Sequence, residues 1–307
     1  MSSTGMLSGT SQNTAPHWDP AAVRQLVEAR LDDHLTTPAG VPATLSGAMR
    51  HALLAPSKRV RPVLLFLVAE PEDGRTQTVL DVGCAVEMVL TASLILDDLP
   101  CMDDAQMRRQ RPTTHVAFGQ ATAILGAIAL LTRAFGIIAG LDDVPAPTRA
   151  RLAQVLADAV GWDGLVAGQE IDVNGRAAVV EPLQIDQLNW LKTGVLFVAA
   201  AEMGAILRGL EDDKIASVRE FARHFGLAFQ TADDLLDKSS VAVAGKDVNK
   251  DADKTTLVTL FGAGKAEQTC RQHIADAEAA LVASGINADP VRALMARVLE
   301  AGRMTQK

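Results

Sequence analysis

Apolar residues return every three to four positions along almost the whole chain, and turn signals interrupt this pattern at intervals that suit helices of two to five turns. Asp19 followed by Pro20 has the form of an N-cap with proline in the first helical turn, which predicts a helix from there to about His34. Aromatic residues make up only 4% of the sequence. Strands are enriched in aromatic residues, whereas the abundant Ala, Leu and Met favour helices. The sequence therefore predicts an all-α fold.

The same periodicity predicts further helices and a single domain. The predicted helices cover about residues 42–56, 59–69, 76–98, 118–141, 147–160, 162–172, 185–210, 212–236, 265–284 and 290–301. No charge run, low-complexity linker or repeat divides the chain, so we expect residues 18–307 to form one domain. Residues 1–17 are rich in Ser, Thr and Gly and have neither a basic start nor an apolar stretch, which predicts a disordered tail rather than a signal peptide.

The net charge, the cysteine content and the length of the apolar runs argue against several classes of protein. The net charge of −8 argues against a protein that coats nucleic acid or anionic lipid, since both require a basic excess. The 3 cysteines lack C-x-x-C spacing, which indicates neither a disulfide framework nor a zinc knuckle and fits a reducing cytoplasm. Apolar runs such as 123–131 and 195–201 are shorter than the ~20 residues of a membrane-spanning helix. We therefore expect no membrane span.

Adjacent aspartates occur in several places, but only some of them follow apolar helices. The pairs at 32/33, 142/143 and 212/213 lie among polar residues or helix starts, where caps and solvated turns explain them. Two clusters differ, because one ends the apolar run 91–96 and the other follows the apolar segment 225–230. Carboxylates at the wall of an apolar core require a metal ion or a paired cation. The two clusters consist of Asp97, Asp98, Asp103 and Asp104, and of Asp233, Asp234 and Asp237.

The composition of these clusters predicts a hard cation. Asp233 and Asp237 are i, i+4 neighbours on a helix, so both carboxylates lie on the same face. In the first cluster, Asp97 meets Asp103 or Asp104 only if the chain leaves the helix after Leu99. Oxygen ligands without His or Cys select Mg²⁺ or Mn²⁺ over zinc or iron. Because Mg²⁺ commonly keeps phosphate oxygens among its ligands, a phosphorylated substrate is the natural partner.

Four groups of basic residues flank the two aspartate clusters. Any one of them has an ordinary explanation as solvated surface, but their common placement predicts a diphosphate, for which Arg forks and Lys point charges are suited. The four groups are Lys58, Arg59 and Arg61; Arg108 and Arg109; Lys192, followed by Thr193; and Lys246, Lys250 and Lys254.

These segments together resemble the trans-isoprenyl diphosphate synthases, especially the bacterial geranylgeranyl diphosphate synthases of carotenoid pathways. The resemblance covers nearly the whole chain from about residue 20. Segment 97–104, with Arg108, Arg109 and His115 after it, is similar to the first aspartate-rich motif of the family in its form with two inserted residues. Segment 233–237, preceded by Phe229 and Gln230, is similar to the second motif.

The resemblance implies a fold, a reaction and a set of site residues. The fold would be a large helical bundle of the isoprenoid synthase type around a central apolar cavity, assembled as a homodimer. The enzyme would condense isopentenyl diphosphate with an allylic diphosphate (dimethylallyl, geranyl or farnesyl), with about three Mg²⁺ ions held by the aspartates of both motifs, chiefly Asp97, Asp103 and Asp233. Lys58, Arg61 and Arg109 would bind isopentenyl diphosphate. The allylic diphosphate would be bound by Arg108, Lys192, Lys246 and Lys254, while Thr193 and Gln230 would stabilise the developing positive charge.

Three positions depart from the family pattern. Leu90 stands where the family usually has His, Gln110 where Gly commonly follows the Arg pair, and Ser57 where Gly commonly precedes Lys58. We expect Leu90 to weaken the binding of isopentenyl diphosphate without loss of the chemistry.

The residues below the first motif predict the length of the product. Ala92 and Ser93 lie about 6 to 7.5 Å down the helix from Asp97, along the path of a growing chain. In the family, a bulky aromatic residue at this depth stops growth at fifteen carbons. Because Ala92 is small, we expect the chain to pass it toward Met88 or Val89 and to reach twenty carbons. Close helix packing is the other explanation of Ala92.

Other functions remain open on the sequence alone. A farnesyl diphosphate synthase or a longer-chain synthase would share every motif. A terpene cyclase would share the fold, but cyclases usually have Asn, Ser and Glu in the second metal motif and steer cations with aromatic faces, which are scarce here. A non-catalytic partner subunit would explain Leu90 and Gln110, although the intact aspartate clusters argue against it.

Overall fold

The structure is a computed structural model that describes residues 18–72, 74–175, 182–239 and 262–300. Some predictions fall elsewhere. The expected tail at residues 1–17 and the predicted diphosphate ligands Lys246 and Lys254 lie outside the described residues, and so does the side chain of Asp237. The extent of the domain, 18–307, stays a prediction.

The described residues form helices and one very short hairpin, which confirms the predicted all-α class. The hairpin consists of β1 (Met107–Arg108) and β2 (Arg111–Pro112). The helices in chain order are α1 (Pro20–His34), α2 (Ala43–Leu53), α3 (Val60–Ala69), α4 (Thr76–Asp97), α5 (Thr114–Phe118), α6 (Gln120–Ala139), α7 (Ala146–Val160), α8 (Leu165–Asn174), α9 (Pro182–Asn189), α10 (Val195–Arg208), α11 (Asp212–Ser239), α12 (Ala263–Ser284) and α13 (Ala288–Glu300), with a π-helical segment, Trp190–Gly194, between α9 and α10.

Helices α3, α4 and α10 form the centre of the bundle. Their residues are almost entirely buried, because these helices are apolar on nearly every face. Helix α4 packs against α3 and α6, and α10 packs against both α3 and α11. The crossing of α10 and α3 is tight, since a Cβ added to Gly204 would lie 2.5 Å from the carbonyl oxygen of Leu65. The ends of α4 and α11 carry the two predicted aspartate clusters.

Two predicted helices are divided in the structure by residues that depart from α-helical geometry. The predicted helix 118–141 begins only at Gln120, because Gly119 has φ of 85° and separates it from the short helix α5. The predicted helix 185–210 includes a π-helical turn, in which the hydrogen-bond spacing widens over Trp190–Gly194. The prediction for 118–141 thus overlooked the break at Gly119. The prediction for 185–210 overlooked the change in hydrogen-bond spacing at the π-helical segment.

Three helical stretches among the described residues have the length and composition of a membrane span, namely 76–97, 120–139 and 187–208. The expectation of no span rested on uninterrupted apolar runs, which are shorter than these whole helices. In the first and third stretches, 72% of the most apolar window is buried inside the fold, whereas α6 buries only 33% of its window. The first and third are thus core helices, and α6 keeps an exposed apolar face.

Candidate active site

The first aspartate cluster is built by a reversal of the chain at the end of α4. Helix α4 ends at Asp97 with Asp98 as its C-cap, and the N–H of Asp103 donates to the carbonyl oxygen of Asp97 at 2.9 Å. The N–H of Asp104 donates to the carbonyl oxygen of Leu99 at 3.0 Å. Proline at position 100 cannot continue the helical hydrogen bonding, which explains the departure. The structure therefore brings Asp103 back to Asp97, as the sequence required of a shared site.

The two carboxylates at the end of α4 have different partners. Asp98 is bound by the guanidinium fork of Arg108, whose Nε lies 2.7 Å from Oδ1 and 2.9 Å from Oδ2. Asp97 accepts a hydrogen bond from the side chain of Gln169, and Nη2 of Arg108 lies 3.9 Å from its Oδ2. Burial raises the pKa of Asp97, Asp103 and Asp98 raise it further, and Lys192 and Arg108 oppose this. Asp98 thus has a dedicated cation, whereas Asp97 shares a buried site with like charges.

Helix α8 connects the first cluster to Lys192. Gly168 lets α8 approach the π-helical segment closely, since a Cβ on Gly168 would lie 2.7 Å from the Cβ of Leu191 and 2.9 Å from the N of Lys192. This approach places Asp172, whose side chain is 2% exposed, in an ion pair with Lys192. One turn earlier on α8, Gln169 reaches Asp97. Lys192 is therefore held next to the first aspartate cluster.

A line of hydrogen bonds joins the π-helical segment to the second aspartate cluster. The hydroxyl of Thr193 donates to Oε1 of Gln230 at 2.8 Å, and the amide of Gln230 donates to Oδ1 of Asp234 at 2.8 Å. Helix α11 crosses the segment closely enough for this, because a Cβ on Gly226 would lie 3.3 Å from the Cα of Gly194. The structure thus brings Thr193 and Gln230 together, as proposed for charge stabilisation.

A group of arginines lies beside these carboxylates with too few anions to balance it. Nη1 of Arg59 lies 2.6 Å from Oε1 of Glu87, and Nη2 of Arg59 donates to two backbone carbonyl oxygens. Glu87 is thus already paired. Burial lowers the pKa of Arg61 to about 10, and Glu87 and Asp233 only partly oppose this. Burial lowers the pKa of Arg109 as well. Buried cations in excess of their anions indicate a binding site for an anionic group.

Aromatic rings line the same group of cations. The guanidinium of Arg61 lies 4.6 Å from the ring centroid of Phe197, and the Nζ of Lys58 lies 5.6 Å from that of Phe229. The Nε of Arg61 is buried with no hydrogen-bond partner among the described residues. Ring faces attract cations without neutralising them. The predicted residues Lys58 and Arg61 therefore keep their charge available for an incoming anion.

The predicted chain-length residues lie inside the bundle. Ala92 is 3% exposed, and Met88 and Val89, about one turn lower on α4, are almost fully buried. Ser93 is half-buried, and its hydroxyl donates to the carbonyl oxygen of Leu90 at 2.8 Å. Ala92 is thus in the core at the depth that the prediction requires, and its role in setting product length stays a prediction.

The sequence analysis missed three residues of the site. Gln169 and Asp172 contact Asp97 and Lys192, and Glu87 neutralises Arg59. A signal was present for Asp172, because Leu165, Gly168 and Asp172 share the buried face of α8 and a carboxylate on such a face requires a partner. Glu87 likewise lies in an otherwise apolar stretch of α4.

Known proteins resemble this chain over most of its length. The model of the family described as polyprenyl synthetase matches residues 42–283. A geranylgeranyl diphosphate synthase of Pseudescherichia vulneris is 44% identical over 281 residues, which are 89% of this chain and 89% of that protein. A geranylgeranyl diphosphate synthase of Pantoea ananas is 42% identical over 254 residues, 81% of this chain and 82% of that protein.

Solved structures of similar fold lead to the same family. An FPP/GFPP synthase of Zymomonas mobilis matches with a TM-score of 0.81 and 35% identity and covers 91% of this chain and 97% of its own. A geranyltransferase of Helicobacter pylori, complexed with magnesium and isoprenyl diphosphate, matches with a TM-score of 0.79 and 26% identity over 98% of this chain and 99% of its own. The sequence and the fold together show that this chain belongs to the polyprenyl synthetase family.

Proposed function

We propose that the chain is a geranylgeranyl diphosphate synthase, which condenses isopentenyl diphosphate with allylic diphosphates. The observation that carries this is the arrangement at the ends of α4 and α11, where Asp97, Lys192 and the Thr193–Gln230–Asp234 line meet beside arginines that lack sufficient anions. The names of the relatives support the same activity. The allylic primers would be dimethylallyl, geranyl and farnesyl diphosphate.

The two diphosphates would occupy different parts of the site. Arg61, Arg109 and Lys58 form the cationic group around the already neutral Arg59–Glu87 pair, and we assign isopentenyl diphosphate to it. The allylic diphosphate would lie between the aspartate clusters, near Arg108 and Lys192. Lys246 and Lys254 are proposed as further ligands of this diphosphate from the resemblance alone.

The aspartates fit a hard divalent cation. Asp97 and Asp103 offer only oxygen ligands, and the raised pKa of Asp97 reflects burial and like charge that a divalent ion would relieve. Mg²⁺ would supply positive charge to the departing diphosphate, and Mn²⁺ is the expected substitute. A count of about three ions, with Asp98, Asp104, Asp233, Asp234 and Asp237 completing the ligand set, stays a prediction.

The residues of the site explain how the reaction would proceed. Arg108 and Lys192 would hold the allylic diphosphate and stabilise its negative charge as the bond between carbon and oxygen breaks. We expect the Thr193 and Gln230 oxygens to face the allylic cation and to stabilise its positive charge. The alkene of isopentenyl diphosphate would attack this cation, a new carbon–carbon bond would form, and the proton lost from the product would pass to the released diphosphate.

One incubation tests this function against its alternatives. Purified protein would be given Mg²⁺, labelled isopentenyl diphosphate and each allylic primer, and the products would be identified by mass. We expect a twenty-carbon diphosphate. Fifteen carbons would indicate a farnesyl diphosphate synthase, a longer chain a longer-chain synthase, a hydrocarbon a terpene cyclase, and no product a non-catalytic partner subunit.

Product length has its own test at Ala92. We predict that Ala92→Phe shortens the main product from twenty to fifteen carbons, because a phenyl ring at this buried position would block the growing chain. Overpacking of the core costs about 1 to 3 kcal/mol, so circular dichroism must first show that the variant is folded. Ser93→Ala, a small change one residue away, serves as the control and should keep the product. An unchanged product from folded Ala92→Phe would refute this assignment.

The proposal also concerns the oligomeric state, the cellular compartment and the pathway of the enzyme. We propose a homodimer formed through the exposed apolar face of α5 and α6, where Val116 and Leu125 are 47% and 57% exposed. Helix α4 is also apolar, but 72% of its most apolar window is buried within its own chain. Among the described residues, Cys84, Cys101 and Cys270 form no disulfide, in keeping with the cytoplasm that we propose. Supply of a carotenoid pathway stays a prediction.

A further inference from the structure

Two histidines and an aspartate meet where helix α11 packs against helix α12. His224 is on α11, and His273 and Asp276 are on α12, where their i, i+3 spacing puts both on one face. The two Nδ1 atoms lie 3.0 Å apart, and Nδ1 of His224 lies 4.0 Å from Oδ2 of Asp276. The three ligand atoms all lie within 4.8 Å of one another. None of these residues takes part in the proposed condensation.

A neighbouring carboxylate orients the ring of His224. Its Nε2 lies 3.0 Å from Oε1 of Glu220, and since a carboxylate only accepts, this nitrogen carries the proton. Nδ1 of His224 then offers its lone pair toward His273 and Asp276. A carboxylate behind a histidine in this way is the arrangement that orients metal-ligating histidines.

The local charge also suits a cation. Glu220 and Asp276 contribute two negative charges, and Arg223, whose Nη1 lies 3.5 Å from Oε1 of Glu220, contributes one positive charge. Burial lowers the pKa of His273, His224 and Arg223 lower it further, and Asp276 opposes this. Gln272 donates to Oδ1 of Asp276 at 2.9 Å, which leaves Oδ2 directed at the histidines.

We propose that His224, His273 and Asp276 form a binding site for Zn²⁺ or a similar transition-metal ion, separate from the magnesium site. Nitrogen ligands with one carboxylate favour such an ion, whereas the oxygen-only clusters favour Mg²⁺. Two nitrogens at Zn–N distances of about 2.1 Å in a tetrahedron lie about 3.4 Å apart. The observed 3.0 Å requires only a few tenths of an ångström of separation. On binding, the shared proton of His273 would move from its Nδ1 to its Nε2.

The bound ion would clip α11 to α12. Helix α11 carries Asp233 and Asp234, and α12 is the next described helix of the chain. The bound ion would therefore connect the helix of the second aspartate cluster to the helix that follows it. An ion that binds only the folded protein stabilises it by a free energy that grows with the logarithm of its concentration over its dissociation constant.

Cobalt titration of the full chain tests the site. Mg²⁺ in large excess would first occupy the oxygen-only clusters, and Co²⁺ would then be added. We expect one Co²⁺ per chain with the intense visible absorption of a tetrahedral site, displaced by Zn²⁺, and a rise of several degrees in the melting temperature with Zn²⁺. Wild-type protein that shows only the weak absorption of octahedral Co²⁺, or no binding, overturns the proposal without any variant.

Substitutions then locate the ion. His273→Gln and Asp276→Asn should each lose the tetrahedral absorption and weaken Zn²⁺ binding by about 100-fold or more, while product formation with Mg²⁺ persists. Glu267→Gln removes a carboxylate from the same helix outside the cluster and should bind as the wild type does. A tetrahedral signal that survives in both cluster variants would place the ion elsewhere and contradict the assignment.

Discussion

Glu87 is bound by Arg59, and this pairing determines which cations of the site are available to substrate. Both side chains are almost fully buried, at 1% and 2% exposure. If Glu87 were unpaired, it would neutralise Arg61 or Arg109 instead, since its charge acts on both. The pair is therefore a structural element of the anion site. Leu90 lies one turn closer to Asp97 on the same face of α4 as Glu87.

Leu90 is the residue at which we expect the largest gain in substrate binding. We predict that Leu90→His lowers the KM for isopentenyl diphosphate by about tenfold with kcat little changed, because a hydrogen bond to a charged group contributes about 1.5 to 3 kcal/mol. Steady-state kinetics with varied isopentenyl diphosphate would measure it. Leu90→Met, which adds no donor, should behave as the wild type. An unchanged KM in Leu90→His would show that this position does not face the diphosphate.

Gln110 stands in a turn whose backbone suits glycine. Arg109 and Gln110 connect β1 to β2, and both have positive φ, 53° and 61°. Two such residues in a two-residue hairpin loop form a type I′ turn, for which glycine is preferred. Left-handed conformations cost a residue with a side chain about 1 to 2 kcal/mol. The turn nevertheless places Arg109 in the cationic group, so the departure at Gln110 lowers stability and keeps the geometry.

We predict that Gln110→Gly raises the free energy of unfolding by about 1 kcal/mol, because it removes the strain of the left-handed backbone. Urea denaturation would measure the change. The same substitution in a helix is the matched control: Gln154→Gly on the exposed side of α7 should lower the free energy of unfolding by about 1 kcal/mol. A loss of stability in Gln110→Gly would contradict the strain that we infer.

At the scale of elements, the site depends on how closely α8 approaches the π-helical segment. Gly168 permits this approach, and through it Asp172 pairs with Lys192 and Gln169 reaches Asp97. Neither contact involves residues that are close in sequence. A single methyl group added at position 168 should therefore increase the separation between α8 and the π-helical segment.

We predict that Gly168→Ala lowers the free energy of unfolding by about 1 to 3 kcal/mol and lowers kcat as well. The added Cβ would lie 2.7 Å from the Cβ of Leu191, which is not a flexible end, so the elements must separate and carry Lys192 away from Asp97. Thermal unfolding and turnover would be measured together. Gly136→Ala on α6 is the control, since nothing lies within 4 Å of its Cβ and the change should be neutral or stabilising. Equal behaviour of the two variants would contradict the close approach.

Sequence patterns predicted the long elements better than their junctions. The helix predicted at 76–98 is Thr76–Asp97, because its periodicity extends over six turns. The hairpin was missed, since strands of two residues carry no alternation and the Arg109–Gln110 turn lacks the usual glycine. The π-helical turn differs from an α-helix by one hydrogen-bond register that no residue type specifies. Asp97 and Asp233 were found because each follows an apolar run, whereas Asp172 stands alone.

At the scale of the molecule, the most prominent unexplained surface is apolar. Ile124, Leu125 and Ile128 on α6 are 40%, 57% and 50% exposed, and Val116 on α5 adds to them. Apolar side chains grouped in this way indicate a contact surface, whereas single exposed ones are ordinary. This surface is on the helix packed against α4, which ends at Asp97. A second chain seated there would hold α6, and through it α4, in place.

We predict that Leu125→Glu converts the proposed dimer to a monomer and lowers turnover, because a carboxylate at the centre of the apolar surface would be buried without a partner on association. Light scattering after size-exclusion chromatography would give the mass. Val282→Glu, at a singly exposed apolar position on α12 (62% exposed), is the matched control and should remain dimeric. If the wild type has the mass of one chain, or if Leu125→Glu keeps the mass of two, then α6 is not the interface. Both variants introduce the same charge. A difference in mass between them would therefore result from the position of Leu125 on the apolar surface of α6.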